Sequence, residues 1–132
     1  MAVQLTDAQQ KYLTDKNFAH IATINKDGSP QVSPVWVGYD GKHIIVNSEQ
    51  KRLKVRNLKR DPRVSLSVQN GAQPYAYIEI RGKVVEITPN GGDAGIDAFA
   101  KKYMNLDKYP MNKPGDVRVV IKIEPEHITG QG

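Results

Sequence analysis

The sequence predicts a small, mainly β fold: six antiparallel strands closing as a barrel, interrupted by three short helices. Short runs rich in β-branched and aromatic residues, such as Phe18–Ile24 and Val64–Gln69, recur along the chain. Between them stand tight-turn signals, Asn25-Lys26-Asp27-Gly28, Asp40-Gly41 and Asn70-Gly71, which suit antiparallel neighbours. Near the end, Val117, Val119, Ile121 and Ile123 alternate with Arg118, Val120, Lys122 and Glu124, the period of a half-buried strand. This order of elements is unlike the regular strand–helix alternation of a parallel α/β sheet.

Each element has a local cause. Thr6-Asp7-Ala8-Gln9 has the form of a capping box, so a first helix runs from there to about Leu13. Phe18–Ile24 is the first strand, Gln31–Tyr39 the returning strand, and His43–Asn47 the third. Glu49–Lys59 reads as a second helix with Ser48 as its N-cap; Val55 and Leu58 share one face, and Arg52, Arg56 and Arg60 another. Asp61-Pro62 ends it, because proline disfavours helical geometry in the residue before it. Val64–Gln69 is the next strand, and Tyr75–Ile87 a long one with Gly82 as a bulge. Asp93–Met104 forms the third helix, with Ile96, Phe99 and Tyr103 on one side, and Asn105–Asp116 is a loop.

A length of 132 residues suits one domain, residues 1–132. Hydrophobic residues make up 39% and charged residues 25%, the balance of a globular chain and not of a disordered one. No apolar run approaches a membrane span, and the amino terminus lacks the layout of a secretory signal, so a cytoplasmic protein is expected. Cysteine is absent, which excludes disulfides, thiolate metal sites and a cysteine nucleophile. No His/Asp/Glu spacing resembles a metal site.

The net charge of +5 is concentrated in one place. Lys51, Arg52, Lys54, Arg56, Lys59, Arg60 and Arg63 lie in one segment with a single acid, Asp61, so the remaining residues are close to neutral. A local cationic patch suits a compact anion better than a polynucleotide, which meets a broad positive stripe and stacking aromatics. No nucleic-acid partner is therefore expected. Placed at a helix start, Arg52 and Lys54 add a guanidinium fork and an ammonium to N–H groups that already favour an anion. A solvated basic helix face is the competing reading of the same run.

The order of elements and several motifs carry further information. The strand Ala19-His20-Ile21-Ala22-Thr23, the stretch Asp27-Gly28-Ser29-Pro30-Gln31-Val32-Ser33-Pro34-Val35-Trp36, and Arg52-x-Lys54-x-Arg56-Asn57-Leu58-x-x-Asp61-Pro62-Arg63 occur in that order. With Gly82-Lys83-Val84-Val85 and the ending Val119–Pro125, they resemble the pyridoxamine-phosphate-oxidase-like split-barrel family over about Leu5 to Ile128. Within it the chain looks most like the branch that uses the deazaflavin coenzyme F420.

That resemblance implies an FMN-binding-type split β-barrel, six-stranded and antiparallel, that forms a homodimer with the coenzyme at the subunit interface. It implies an F420-dependent reductase that passes hydride to an unsaturated or quinone-like small molecule. Residues matching Arg52 and Lys54 grip the coenzyme phosphate, with Arg56 helping. The ring is expected along Gln31, Val32, Ser33, Pro34, Val35 and Trp36, and the ribityl chain or phosphate at Asn47 and Ser48. Tyr75 and Tyr77 are expected from across the dimer, with either able to donate a proton, and Lys101 and Lys102 as contacts to the coenzyme's anionic tail. The family's pyridoxal-binding Arg-x-His ending is missing, which argues against pyridoxamine phosphate as substrate. FMN in the same grip, in an oxidase or reductase, and a non-catalytic coenzyme carrier are the alternatives.

The remaining candidates have two readings each. His20, in an apolar strand, reads as a packed and hydrogen-bonded histidine. Trp36 suits either core or a ring cover. Tyr75 and Tyr77, two apart on one strand, share a face whether they pack or bind. Tyr109-Pro110, in the late loop, borders a pocket if loops carry function here.

Overall fold

Seven strands hydrogen-bond into one antiparallel sheet in a computed structural model that describes residues 2–130. In chain order the elements are α1 (Asp7–Thr14), β1 (Phe18–Ile24), β2 (Pro30–Trp36), β3 (Gly38–Tyr39), β4 (Ile44–Glu49), α2 (Leu53–Arg60), β5 (Arg63–Gln69), β6 (Tyr77–Thr88), α3 (Gly92–Met104) and β7 (Arg118–Gly130). The sheet order is β2-β1-β5-β6-β7-β4-β3, a half-barrel of the split-barrel kind. Among the described residues no helix is long and apolar enough to cross a membrane.

The strand count is seven where the sequence suggests six, and Val37 is the reason. Its N–H donates to the Tyr103 hydroxyl (3.1 Å), and its carbonyl accepts from the Lys102 ammonium (2.7 Å). Side chains of α3 thus take the backbone groups that a continuous ladder would have paired. The expected strand Gln31–Tyr39 therefore divides into β2 and the two-residue β3.

The sheet curls around a core of Ile21, Ile44, Val46, Leu66, Ile78, Ile80, Ile121 and Ile123. Curvature is concentrated in β6, whose pairing with β7 shifts register at Arg81/Gly82 and again at Val84/Glu86. A Cβ at Gly82 would overlap the Glu124 carbonyl, so only glycine lets the strands approach there.

The helices close the structure. Thr6 and Gln9 complete the reciprocal capping box of α1, and Leu13 is buried beneath it. From α2, Val55 and Leu58 enter the core, each such side chain contributing about 1.5–3 kcal/mol. Eight residues are too few for a helix to persist without that anchorage. Buried Asn57 adds hydrogen bonds from its amide to the Thr23 hydroxyl (3.0 Å) and Asn25 Oδ1 (2.9 Å), tying α2 to the end of β1. On the other face of the sheet, Ile96, Phe99 and Tyr103 of α3 pack with Trp36, Ile45 and Tyr109. Gly92 lies so close to β7 that a Cβ would collide with the Arg118 carbonyl.

Three local expectations are corrected. Helix α2 begins at Leu53, not Glu49, and Ser48 does not cap it: Ser48 is still in β4, paired with Val119, while Arg52 occupies the cap position without a side-chain bond. Strand β6 begins at Tyr77, so Tyr75 sits in a turn and the shared-face argument for the two tyrosines fails. His20 is exposed and not packed in the core, because β1 turns Ala19, Ile21 and Thr23 inward.

Candidate functional site

The site is built where four segments meet. Strand β4 pairs with β7 so that Glu49 lies opposite Arg118 and Asn47 opposite Val120. After β4 the chain turns sharply into α2, and the Glu49 carboxylate organises that turn. One carboxylate oxygen accepts from the Lys51 N–H (2.7 Å) and the other from the Val117 N–H (2.9 Å). The Gln50 N–H donates to the Val117 carbonyl (2.9 Å), a second tie between the same two segments. These backbone hydrogen bonds hold the Glu49 carboxyl below its ordinary range, so it stays ionised.

This arrangement brings Arg52, Lys54 and Arg118 together. They line one cleft of about 300 Å³ with Asn47, Ser48 and Glu49 at the polar end. Lys54 is half-buried and makes no hydrogen bond or ion pair among the described residues. Burial pushes its ammonium below the ordinary value, and the charges of Arg52 and Arg118 act in the same direction. Arg118 is likewise half-buried and lowered chiefly by burial, with Tyr109 and Asp116 opposing. Its Nε donates to Asn47 Oδ1 (3.0 Å), and its guanidinium lies 5.0 Å from the centre of the Tyr109 ring. Asn47 in turn donates to the Gly92 carbonyl (2.9 Å), which fixes it against α3. Three cations share this space, and the one carboxylate that lines it, Glu49, is committed to backbone N–H groups. Such a charge distribution favours an anion.

The other end of the cleft is apolar. Pro34, Val35 and Trp36 from the end of β2 face Ile96 of α3 and Tyr109 and Met111 of the following loop. The Trp36 ring stacks on Tyr103 at 5.1 Å and 4°, and the residue also lines the cleft. Tyr109 meets Trp36 edge-on at 5.9 Å, and its N–H is held by an Asp97 carboxylate oxygen (2.9 Å). A cationic pole joined to an aromatic slot suits a planar ring that carries a phosphate.

Of the residues singled out in the sequence, Pro34, Val35, Trp36, Asn47, Ser48, Arg52 and Lys54 line the cleft, as does Tyr109. Arg56 does not: two residues beyond Lys54 it projects from the opposite side of α2, into solvent. Gln31 is engaged elsewhere, accepting from the Thr23 hydroxyl (3.0 Å), and Val32 is 63% exposed on the outer face of β2. The Ser33 hydroxyl is buried and has no hydrogen-bond partner. Tyr75 and Tyr77 lie on the surface outside the cleft of their own chain. Lys101 pairs with Asp107 (3.7 Å), and Lys102 turns inward to the Leu13 and Val37 carbonyls. Sequence reasoning missed Arg118, Glu49, Ile96, Met111 and Phe18. The alternation of β7 does put Arg118 on the face away from the core; its partner strand has no local signature.

A family model described as pyridoxamine 5'-phosphate oxidase matches residues 5–132. The chain belongs to the pyridoxamine 5'-phosphate oxidase family. A solved structure named F420 Reductase superposes on this family member with a TM-score of 0.82 and 31% identity, covering 95% of this chain and 98% of that one. A conserved hypothetical protein from Mycobacterium tuberculosis is similar at 24% identity and TM-score 0.68, covering 96% and 84% of the two chains. General Stress Protein 26 from Bacillus anthracis shares the fold at 18% identity and TM-score 0.64, over 89% and 86%. These last two likenesses concern the fold.

Proposed function

We propose that this family member is an oxidoreductase that holds coenzyme F420 in the cleft and passes hydride to an unsaturated or quinone-like organic molecule. The observation that carries the reading is the convergence of Arg52, Lys54 and Arg118, without a free carboxylate partner, beside an aromatic slot. The likeness to the F420 Reductase at 31% identity supports the deazaflavin over other ring systems. When bound, the coenzyme supplies the hydride chemistry, and the protein supplies grip, orientation and exclusion of water. Arg52, Lys54 and Arg118 hold the phosphate; Asn47 orients Arg118; Glu49 keeps the α2 turn and the start of β7 in register. Pro34, Trp36 and Tyr109 bound the ring. FMN fits the same grip and is the second reading, because both coenzymes offer a phosphate and a planar tricycle.

The same proposal includes a homodimer. The outward side of β1, β2 and β6 exposes Phe18 (55%), Val32 (63%) and Tyr77 (39%), and Phe18 also lines the cleft. A second copy on this side would cover those side chains and bring its own Tyr75 and Tyr77 near the first copy's site, where either serves as proton donor. The protein's sedimentation behaviour tests this part: a monomer at all working concentrations refutes it.

The coenzyme assignment is tested by titrating the purified protein with F420 and with FMN, following each chromophore's absorbance and fluorescence. F420 should bind more tightly, and the combined Arg52→Ala and Lys54→Ala variant should lose that binding while keeping its circular dichroism. No binding of F420, or unaltered binding by the double variant, refutes the reading; tight FMN alone moves it to the flavin alternative.

A further inference from the structure

A second cavity, of about 360 Å³, lies between α3 and strands β3 and β4. Its volume is at the small end of the range for small-molecule sites, about 300–1,000 Å³. The walls are mainly apolar, and Tyr39, Ile45, Phe99 and Val120 are among the side chains that form them. Asn47 lines this cavity as well as the cationic cleft, so the two spaces adjoin at that residue.

One charged residue lines it: Lys102. Its ammonium donates to the Leu13 carbonyl (2.8 Å) and the Val37 carbonyl (2.7 Å), and it lies 4.8 Å from the centre of the Tyr103 ring. An ammonium has three donors. Two are used in joining α1, the β2–β3 break and α3, and the third has no acceptor among the described residues. No carboxylate lies within ion-pairing distance of Lys102 either; Asp15 acts on it only from farther away. Burial pushes Lys102 down to about 8, the mark of a cation short of solvent and of counter-charge. Structural bracing explains the two carbonyl bonds. It leaves unexplained a spare donor and an unbalanced charge at the edge of an apolar space.

We propose that this cavity is a second ligand site, distinct from the coenzyme cleft, for a small monocarboxylate with an apolar body. The carboxylate is received by the Lys102 ammonium, and the body lies against Ile45, Phe99 and Val120. The fit is one of charge and of surface: a single cation with a free N–H at one end, no lining acid to repel the anion, and an apolar remainder.

The test is a titration of the full chain with decanoate and with 1-decanol, read from backbone amide NMR shifts. Gly38, Gly95 and Lys102 report on this cavity, and Arg52, Lys54 and Arg118 on the other cleft. Decanoate should shift the first set saturably, and decanol should bind about tenfold more weakly, since it offers no charge to the ammonium. Ala98→Leu, one helical turn before Lys102 on α3 where it lines the cavity, fills the space while keeping the Lys102 ammonium and should abolish the decanoate shifts with the spectrum otherwise native. Lys102→Met should weaken decanoate to the level of decanol. The proposal is overturned if decanoate shifts only the cationic-cleft amides, if decanol binds equally, or if Ala98→Leu binds as the parent does. FMN and F420 titrations of Ala98→Leu remain separate, so failure here leaves the coenzyme reading standing and the reverse holds too.

Discussion

Replacing Arg118 by methionine tests the cationic cleft at the position that only folding reveals. The substitution keeps an unbranched chain of similar reach over Tyr109 and removes the guanidinium. Two losses follow, and they differ in size. Within the protein, the Nε–Asn47 hydrogen bond at 3.0 Å disappears, an interaction of about 0.5–1.5 kcal/mol at a half-buried site. Against a bound phosphate, a charge-assisted hydrogen bond is lost, which is about 1.5–3 kcal/mol, or roughly a 10- to 150-fold weaker grip. A small part of that is returned, because Arg118 adds to the repulsion on Lys54, although burial and Arg52 still hold the lysine below its ordinary value. We therefore expect FMN or F420 to bind about 10- to 50-fold more weakly to Arg118→Met, with a melting temperature lowered by only a few degrees. Riboflavin is the control. It has the ring without the phosphate, so its affinity should stay constant and the parent's preference for FMN over riboflavin should collapse. Equal losses for FMN and riboflavin would mean that Arg118 shapes the ring slot instead. An unchanged preference for FMN would refute the phosphate site as drawn.

Other consequences concern the scaffold. Tyr103→Phe strips the hydroxyl that donates to the Asn17 carbonyl and accepts from Val37, leaving buried backbone groups unpaired; denaturant unfolding should show a loss of about 1–3 kcal/mol. Gly92→Ala places a methyl against the Arg118 carbonyl, so α3 must lift from β7; a fall in melting temperature together with weaker coenzyme binding is expected, and a variant that keeps both would contradict the close docking. Asp61 is held at about 2 by its hydrogen bonds from Arg63, against an ordinary 3.8. A lowered carboxyl stabilises the fold above the unfolded value and ceases to do so as pH falls through the folded one. The stability advantage of the parent over Asp61→Asn should accordingly be constant above about pH 5 and shrink between pH 4 and 2, as followed by acid unfolding.

Much of the architecture was legible along the chain because its causes are local. The α1 cap rests on Thr6 and Gln9, three residues apart, and the end of α2 on Asp61-Pro62. The faces of β7 follow from simple alternation, which places Val119, Ile121 and Ile123 inside as expected. The start of α2 was misplaced because Ser48 looks like a cap until its backbone is claimed by Val119 across the sheet. In the same way, the single strand Gln31–Tyr39 was divided at Val37 by side chains of Lys102 and Tyr103, distant in sequence. Arg56 illustrates the limit of reading a basic run as a unit. Charge density marked the segment, while helical rotation decided that Lys54 faces the cleft and Arg56 faces water.

By itself, then, the sequence determined the kind of elements, the β-rich class, and the concentration of positive charge around Arg52 and Lys54, since each depends on residues a few positions apart. The tertiary structure decided which third cation joins them, which aromatic groups wall the slot, and that a second cavity opens behind Asn47. Those outcomes depend on β4 finding β7 and on α3 docking over both. Pairings of that kind are selected by the energy of the whole packed core, so no short window of residues contains them.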